Sequence, residues 1–281
     1  MPDLRVHFLP ELIAPDDLVG STCVVIDVLR ATTTTIYALA AGARAVIPCL
    51  TIDDAWQSAA AFPAGQAILG GERGGVKIEG FDLGNSPAEY SPTTVNGKTV
   101  VLTTTNGTKA LLHCRMAGEI LIAGFVNLSA VCHVLAQTSD SNPLSPRGRG
   151  QREGERLRST RNSSVNLICA GTDGEITRED VLLAGAIVAR LLENGSWHLN
   201  DQAAVARDAW LRIMASAASA DVQPRLLEAL RSSQGGRNLI ALGMDRDIEL
   251  AANVDRFAIT PRYHAATGRI KTERPDAPPT P

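Results

Sequence analysis

The chain has 281 residues, 44% of them hydrophobic, with 27 Lys+Arg against 30 Asp+Glu and a formal net charge of −3. That length and apolar content suit one large α/β domain or two small ones, with ample core. The near balance of charge excludes a surface built to gather nucleic acid or an anionic membrane, so a small molecule is the expected partner.

No apolar run reaches the roughly 18 residues of a membrane span, and the opening MPDLRVHFLPEL lacks a secretory hydrophobic region. A cytoplasmic protein without membrane contact is expected. The five cysteines, Cys23, Cys49, Cys114, Cys132 and Cys169, include no C-x-x-C pair and fall mostly in apolar runs. This predicts buried thiols, no disulfide framework and no zinc site.

Three segments repeat one arrangement: an apolar run rich in β-formers, a polar turn, then a helical pattern. The first is a strand over 22–29, a turn at 30–33 and a helix ending at Ala41, with Gly42 just past it, where helices commonly stop. A strand over 45–49 follows. Segment 70–90, GGERGGVKIEGFDLGNSPAEY, reads as a long surface loop, poor in regular structure but dense in charged groups. The second unit has a strand over 99–103, the turn TTNG and a helix over 108–116. A strand over 119–123 comes next, with Asn127 or Ser129 as the cap of the helix beyond. The third unit has a strand over 165–170, the turn GTDGE and a helix to Leu192, with Thr177 and Asp180 in the positions of a capping box. Later helices read at 201–219, 222–232 and 236–242.

Strands separated by helices predict an α/β fold, a three-layer α/β/α sandwich around a largely parallel or mixed sheet. The Ser-, Arg-, Gly- and Pro-rich stretch 138–164 cannot bury a core and reads as a disordered insertion loop. Residues 1–262 then form one domain, and 263–281 a polar C-terminal tail with four prolines.

In an open parallel sheet, ligands gather beyond the carboxyl ends of the strands, where helix N-termini present unpaired N–H groups. All three polar turns belong there. Asp27 is predicted at a strand end and Arg30 at the mouth; Thr32, Thr33 and Thr34 open a helix and offer hydroxyls and amides to an anion. Thr104, Thr105, Asn106 and Gly107 repeat that offer. Threonines at helix starts also serve as plain caps, but three such turns set an anion site beside that reading. From the glycine-rich segment, Glu72 and Asp82 could join Asp27 on a Mg²⁺ ion while Arg73 and Lys77 meet a phosphate, because hard cations take carboxylate oxygens and bridge to phosphates. Asp173 adds an acid in the third turn, as ligand or general acid. Gly97-Lys98-Thr99 is no P-loop: Pro92 stands where a glycine is needed, and a strand follows. Cys23 and Arg30 are seven positions apart, not the six of a thiol phosphatase loop.

DVLRATTT, GGERGGVKIEGFDLGNSP, TTTNGT and CAGTDGEITREDVLLAG, in that order and spacing, resemble the 2-phosphosulfolactate phosphatase (ComB) family over about residues 3–262 outside the insertion. GMDRDIELAANVDRFAITP is similar to the family's ending, with Asp247 and Asp255 at its acidic positions. The resemblance implies a fold peculiar to the family and a Mg²⁺-dependent hydrolase that releases phosphate from 2-phospho-3-sulfolactate, a step toward coenzyme M. Physical inference then distributes the roles: Asp27, Arg30, Glu72 and Asp173 catalytic; Thr32–34, Arg73, Lys77 and 104–107 on the substrate; Asp27, Glu72 and Asp82 on Mg²⁺. A transferase or lyase acting on another small phosphorylated or sulfonated acid competes with this reading, as does a non-enzymatic anion sensor. A homodimer is compatible with it.

Overall fold

The structure, a computed structural model, describes residues 1–139, 164–215 and 222–272. The predicted insertion at 138–164 lies almost entirely outside them, as does the tail beyond residue 272.

Among these residues the strands are β1 Asp3–His7, β2 Thr22–Ile26, β3 Ala45–Cys49, β4 Ala67–Arg73, β5 Val76–Lys77, β6 Thr99–Thr103, β7 Glu119–Ala123, β8 Val165–Cys169, β9 His198–Leu199, β10 Arg262–His264 and β11 Arg269–Lys271. The helices are α1 Ala31–Ala40, α2 Ile52–Ala60, α3 Pro92–Val95, α4 Gly107–His113, α5 Leu128–Ser139, α6 Arg178–Asn194, α7 Asp201–Ala215, α8 Gln223–Arg231, α9 Gln234–Ala241 and α10 Asp245–Ala251. One mixed sheet runs β5-β4-β6-β3-β11-β10-β7-β2-β8-β1-β9. Within it β4, β6 and β3 pair parallel, and so do β7, β2, β8, β1 and β9. No described helix is long and apolar enough to cross a membrane.

The elements sit in three layers because the strands' apolar side chains alternate between the two faces of the sheet. Val24 and Ile26 of β2 join Leu121, Leu167 and the inner faces of α5, α6 and α7 in one cluster. Cys23 and Val25 face the other way, with Ile36 of α1 and Leu111 of α4. Such fully buried side chains each contribute about 1.5–3 kcal/mol, so five-residue runs like TCVVI and VNLIC suffice to hold a helix on each face. On the flank, α2 packs Ala55 against Leu69 of β4 and Val101 of β6.

The two parallel groups meet through the β10–β11 hairpin, which pairs antiparallel with β7 on one side and β3 on the other. This overturns the predicted tail over its first part: residues 263–271 belong to the middle of the sheet. Their polarity conceals the role of Ile270, only 3% exposed, in the core, while Arg262 is neutralised by Glu119 at 2.8 Å.

Segment 70–90 departs from expectation too. Gly70, Gly71, Glu72 and Arg73 close β4 beside β6 rather than opening a loop. A methyl at Gly71 would strike the Thr103 carbonyl, so glycine there permits close strand approach. The capping box predicted at Thr177 is likewise absent: Thr177 is the N-cap of α6 but makes no side-chain capping bond, because Asp180 turns inward to other donors. For α5, the Asn127 amide ties Gly124, Ile122 and Ile259 backbones. The cap comes instead from Asp255, which accepts from Ser129 N at 2.5 Å.

Candidate active site

β2 ends at Ile26 and delivers Asp27 to the turn into α1. Asp27 is buried; its Oδ1 accepts from Ala31 N at 3.1 Å. Its Oδ2 faces the start of α4, where a methyl on Gly107 would lie 2.6 Å from that oxygen and 2.5 Å from Ala31 Cβ. Glycine is what lets α4 begin this close. The threonine hydroxyls of α1 are taken by backbone carbonyls. Thr32, Thr33 and Thr34 donate their hydroxyls to the carbonyls of Asp27, Val28 and Asn85, each at 2.8 Å. Buried hydroxyls take an available backbone acceptor, so Thr32 and Thr33 brace the turn and Thr34 ties α1 to the distant Asn85 backbone.

Glu72, from the end of β4, reaches the second turn. Its Oε1 accepts from Thr105 N and Oγ1 at 2.9 and 3.0 Å, and its Oε2 from Gly75 N at 2.7 Å. Asn106 Oδ1 in turn accepts from Asp173 N at 3.3 Å. All three polar turns are thus brought together: Asp27 against Gly107, Glu72 on Thr105, Asp173 on Asn106. Thr104 is only a local cap, accepting from Thr108 N at 3.2 Å.

Arg30 is not open to a ligand. Its guanidinium is 3% exposed in a 2.7 Å ion pair with Asp247, and it donates to the Gly75 carbonyl at 2.8 Å. Asp247 also accepts from Ser86 Oγ at 2.5 Å. Three further predicted site residues are engaged within the fold. Arg73 is consumed by the carbonyls of Glu72 and Leu50 and by Thr103 Oγ1. Asp82 accepts from Leu69 N at 2.8 Å on the far side of β4's hydrogen-bonding edge, and exposed Lys77 reaches only the Asp82 carbonyl, at 3.5 Å.

Two acids missed by sequence reasoning complete the cluster. Asp180 is 2% exposed and accepts from Val28 N at 2.8 Å and Gly171 N at 3.1 Å, tying the first turn to the third. Glu179 is 1% exposed; its Oε1 accepts from Gly235 N at 3.1 Å, and its buried Oε2 has no hydrogen-bond partner among the described residues. In sequence both look like ordinary acids at a helix start. Burial pushes the Asp27 carboxyl up to about 7, against the opposing bond from Ala31 N, and the charges of Glu72 and Glu179 push it further the same way. Asp180 and Glu179 are raised as well, first by burial, and Asp180 next by Asp27.

The predicted metal trio is not assembled, since Asp82 is engaged elsewhere, and the described residues contain no group of three or more His, Cys, Asp or Glu placed to hold a metal ion. Asp27 and Glu72 alone are neighbours. A separate cleft of about 480 Å³, lined by Asp3, Arg5, His7, Asp17 and Asn166 among others, borders none of the predicted site residues.

Carboxyl groups packed beside helix starts at the carboxyl ends of parallel strands define an α/β enzyme-type site for a small charged ligand. Comparison with known proteins narrows this. The family model described as 2-phosphosulpholactate phosphatase matches residues 7–266. A probable 2-phosphosulfolactate phosphatase of Thermotoga petrophila is 39% identical over 240 residues, 85% of this chain and 88% of its own length. Proteins of the same description from Symbiobacterium thermophilum and Carboxydothermus hydrogenoformans are each 36% identical, covering 88% and 96% of this chain and 93% and 97% of their own. The chain belongs to the 2-phosphosulpholactate phosphatase family.

Proposed function

We propose that this protein hydrolyses a small phosphomonoester that carries a second anionic group, with 2-phospho-3-sulfolactate as the substrate. Family membership supports phosphomonoester hydrolysis, and the relatives' names supply the substrate. The observation that carries the site is geometric: buried Asp27 packs its Oδ2 against the start of α4 at Gly107, while Glu72 binds Thr105 and Asp173 binds Asn106 in the same turn.

Monoester hydrolysis is among the slowest uncatalysed reactions, and its transition state spreads charge over the phosphoryl oxygens, so positioning and charge stabilisation do most of the catalysis. In this reading Asp27, as its carboxylate, is the inner anionic group of the site, packed beside the Gly107 turn. The turn at Thr105, Asn106 and Gly107, fixed by Glu72, presents backbone to the anionic groups, with Asp173 at its rim.

The donor set fits Mg²⁺ in part. Asp27 and Glu72 are neighbouring carboxyl groups, and the nearby Arg30 guanidinium is already neutralised by Asp247; a bound cation would lower the cost of ionising Asp27 and balance the charge of a phosphate. Mg²⁺ commonly takes one or two carboxylates plus substrate phosphate and keeps several waters. Asp27 and Glu72 would hold it, and the ion would supply positive charge against the phosphoryl oxygens.

The test is phosphate release from 2-phospho-3-sulfolactate and a panel of other phosphomonoesters, with no acceptor present, in Mg²⁺ and in EDTA. Release that EDTA abolishes and Mg²⁺ restores is expected. Release indifferent to EDTA would remove the metal, release only with an added acceptor would indicate a transferase, and no release from any ester would sink the reading.

A further inference from the structure

A chain of short bonds crosses the molecule from α10 to the Thr105 turn. Asp247 Oδ2 binds Arg30 Nη1 at 2.7 Å; Arg30 Nη2 donates to the Gly75 carbonyl at 2.8 Å. The other face of the same residue, Gly75 N, donates to Glu72 Oε2 at 2.7 Å, and Glu72 Oε1 receives both donors of Thr105. Gly75, with φ +81, is the tip of the β4–β5 turn and is clamped through both its backbone groups. Asp247 is itself fixed by Ser86 Oγ at 2.5 Å, and its side chain is 3% exposed.

We propose that Asp247 is a positioning residue for the candidate active site, acting through Arg30 and Gly75 to hold Glu72 on the Thr105 turn. Electrostatics favours this assignment over a role for Arg30 on substrate. An unpaired buried guanidinium is costly, and its bidentate geometry is here divided between a carboxylate and a carbonyl. Asp247 touches neither Glu72 nor Thr105. Its influence must pass through Gly75, whose carbonyl would lose its orienting donor if Arg30 swung toward solvent.

The kinetic half of the test rests on the phosphoester reading above; the amide half does not. In Asp247→Asn, which keeps shape and an acceptor for Ser86 but loses the charge, amide hydrogen exchange at Gly75 and Thr105 should rise about tenfold or more relative to amides of β1. In the same variant kcat should fall about tenfold or more with KM changed less than about threefold, and Asp247→Glu should recover part of the loss. Should Asp247→Asn fail to fold, Ser86→Ala, which removes only the 2.5 Å support of Asp247, should raise exchange at the same two amides by a smaller factor. Wild-type exchange at Gly75 and Thr105 in a folded variant overturns the proposal. A wild-type protein that hydrolyses no phosphoester while these amides still respond overturns only the substrate reading.

Discussion

At the scale of single residues, Asp27 ties chemistry to stability. Its carboxyl stands at about 7 in the fold, against an ordinary value near 4. Between those two pH values the folded protein keeps a proton that the unfolded chain has released, so stability is lost as pH rises through the window and levels off above it. Asp27→Asn cannot ionise and should remove that slope. Its Tm relative to wild type, measured by calorimetry, is expected to be more favourable at pH 8 than at pH 5, and equal differences at both pH values would refute the raised carboxyl. The same change should lower phosphoester hydrolysis by about 10² or more. The strand-end positions of Asp27, Thr105 and Asn106 were legible in the sequence because a charged or hydroxylic residue just past an apolar run marks a strand end, whereas Glu72 was read from a loop and lies in β4. The fate of Arg30 was not, since its partner Asp247 lies 217 residues away. Glu179 and Asp180 hide for a related reason: helix-start acids look alike whether solvated or buried.

At the scale of elements, the hairpin of β10 and β11 is the part least visible beforehand. Strands of three residues, RYH and RIK, carry no readable alternation, and their charges argue for solvent. The five-residue runs of β2, β6, β7 and β8 are almost wholly apolar, buried on both faces, and announce themselves. Ile270 offers the direct check on the hairpin's place. Ile270→Ala should lower stability by about 2–5 kcal/mol in urea unfolding, with the unfolding slope unchanged if the native sheet stays closed. A loss below about 0.5 kcal/mol would mean that the hairpin is not part of the packed sheet.

At the scale of the whole molecule, the three layers follow from strand and helix alternation, whereas the order of strands depends on that late hairpin and could not be read. All five cysteines are free and buried, as expected from their apolar neighbours. Burial pushes the Cys132 thiol up to about 12 and raises Cys49 and Cys169; Cys23 is drawn down by its bond with Cys114 but is fully enclosed. The thiolate is the reactive form. A bulky thiol reagent should therefore label none of the five within minutes in the native protein and all five in denaturant, and reductant should leave Tm unchanged; rapid native labelling would contradict the enclosed thiols. The hairpin also bears on how the protein is made. Synthesis runs from the N-terminus at about 5–20 residues per second, so the seam between the two half-sheets leaves the ribosome after both strands that it joins. Until residue 271 emerges, β3 and β7 each carry an unsatisfied rim able to zip onto neighbouring nascent chains, and it is in that interval, before its keystone arrives, that this chain would most need a chaperone.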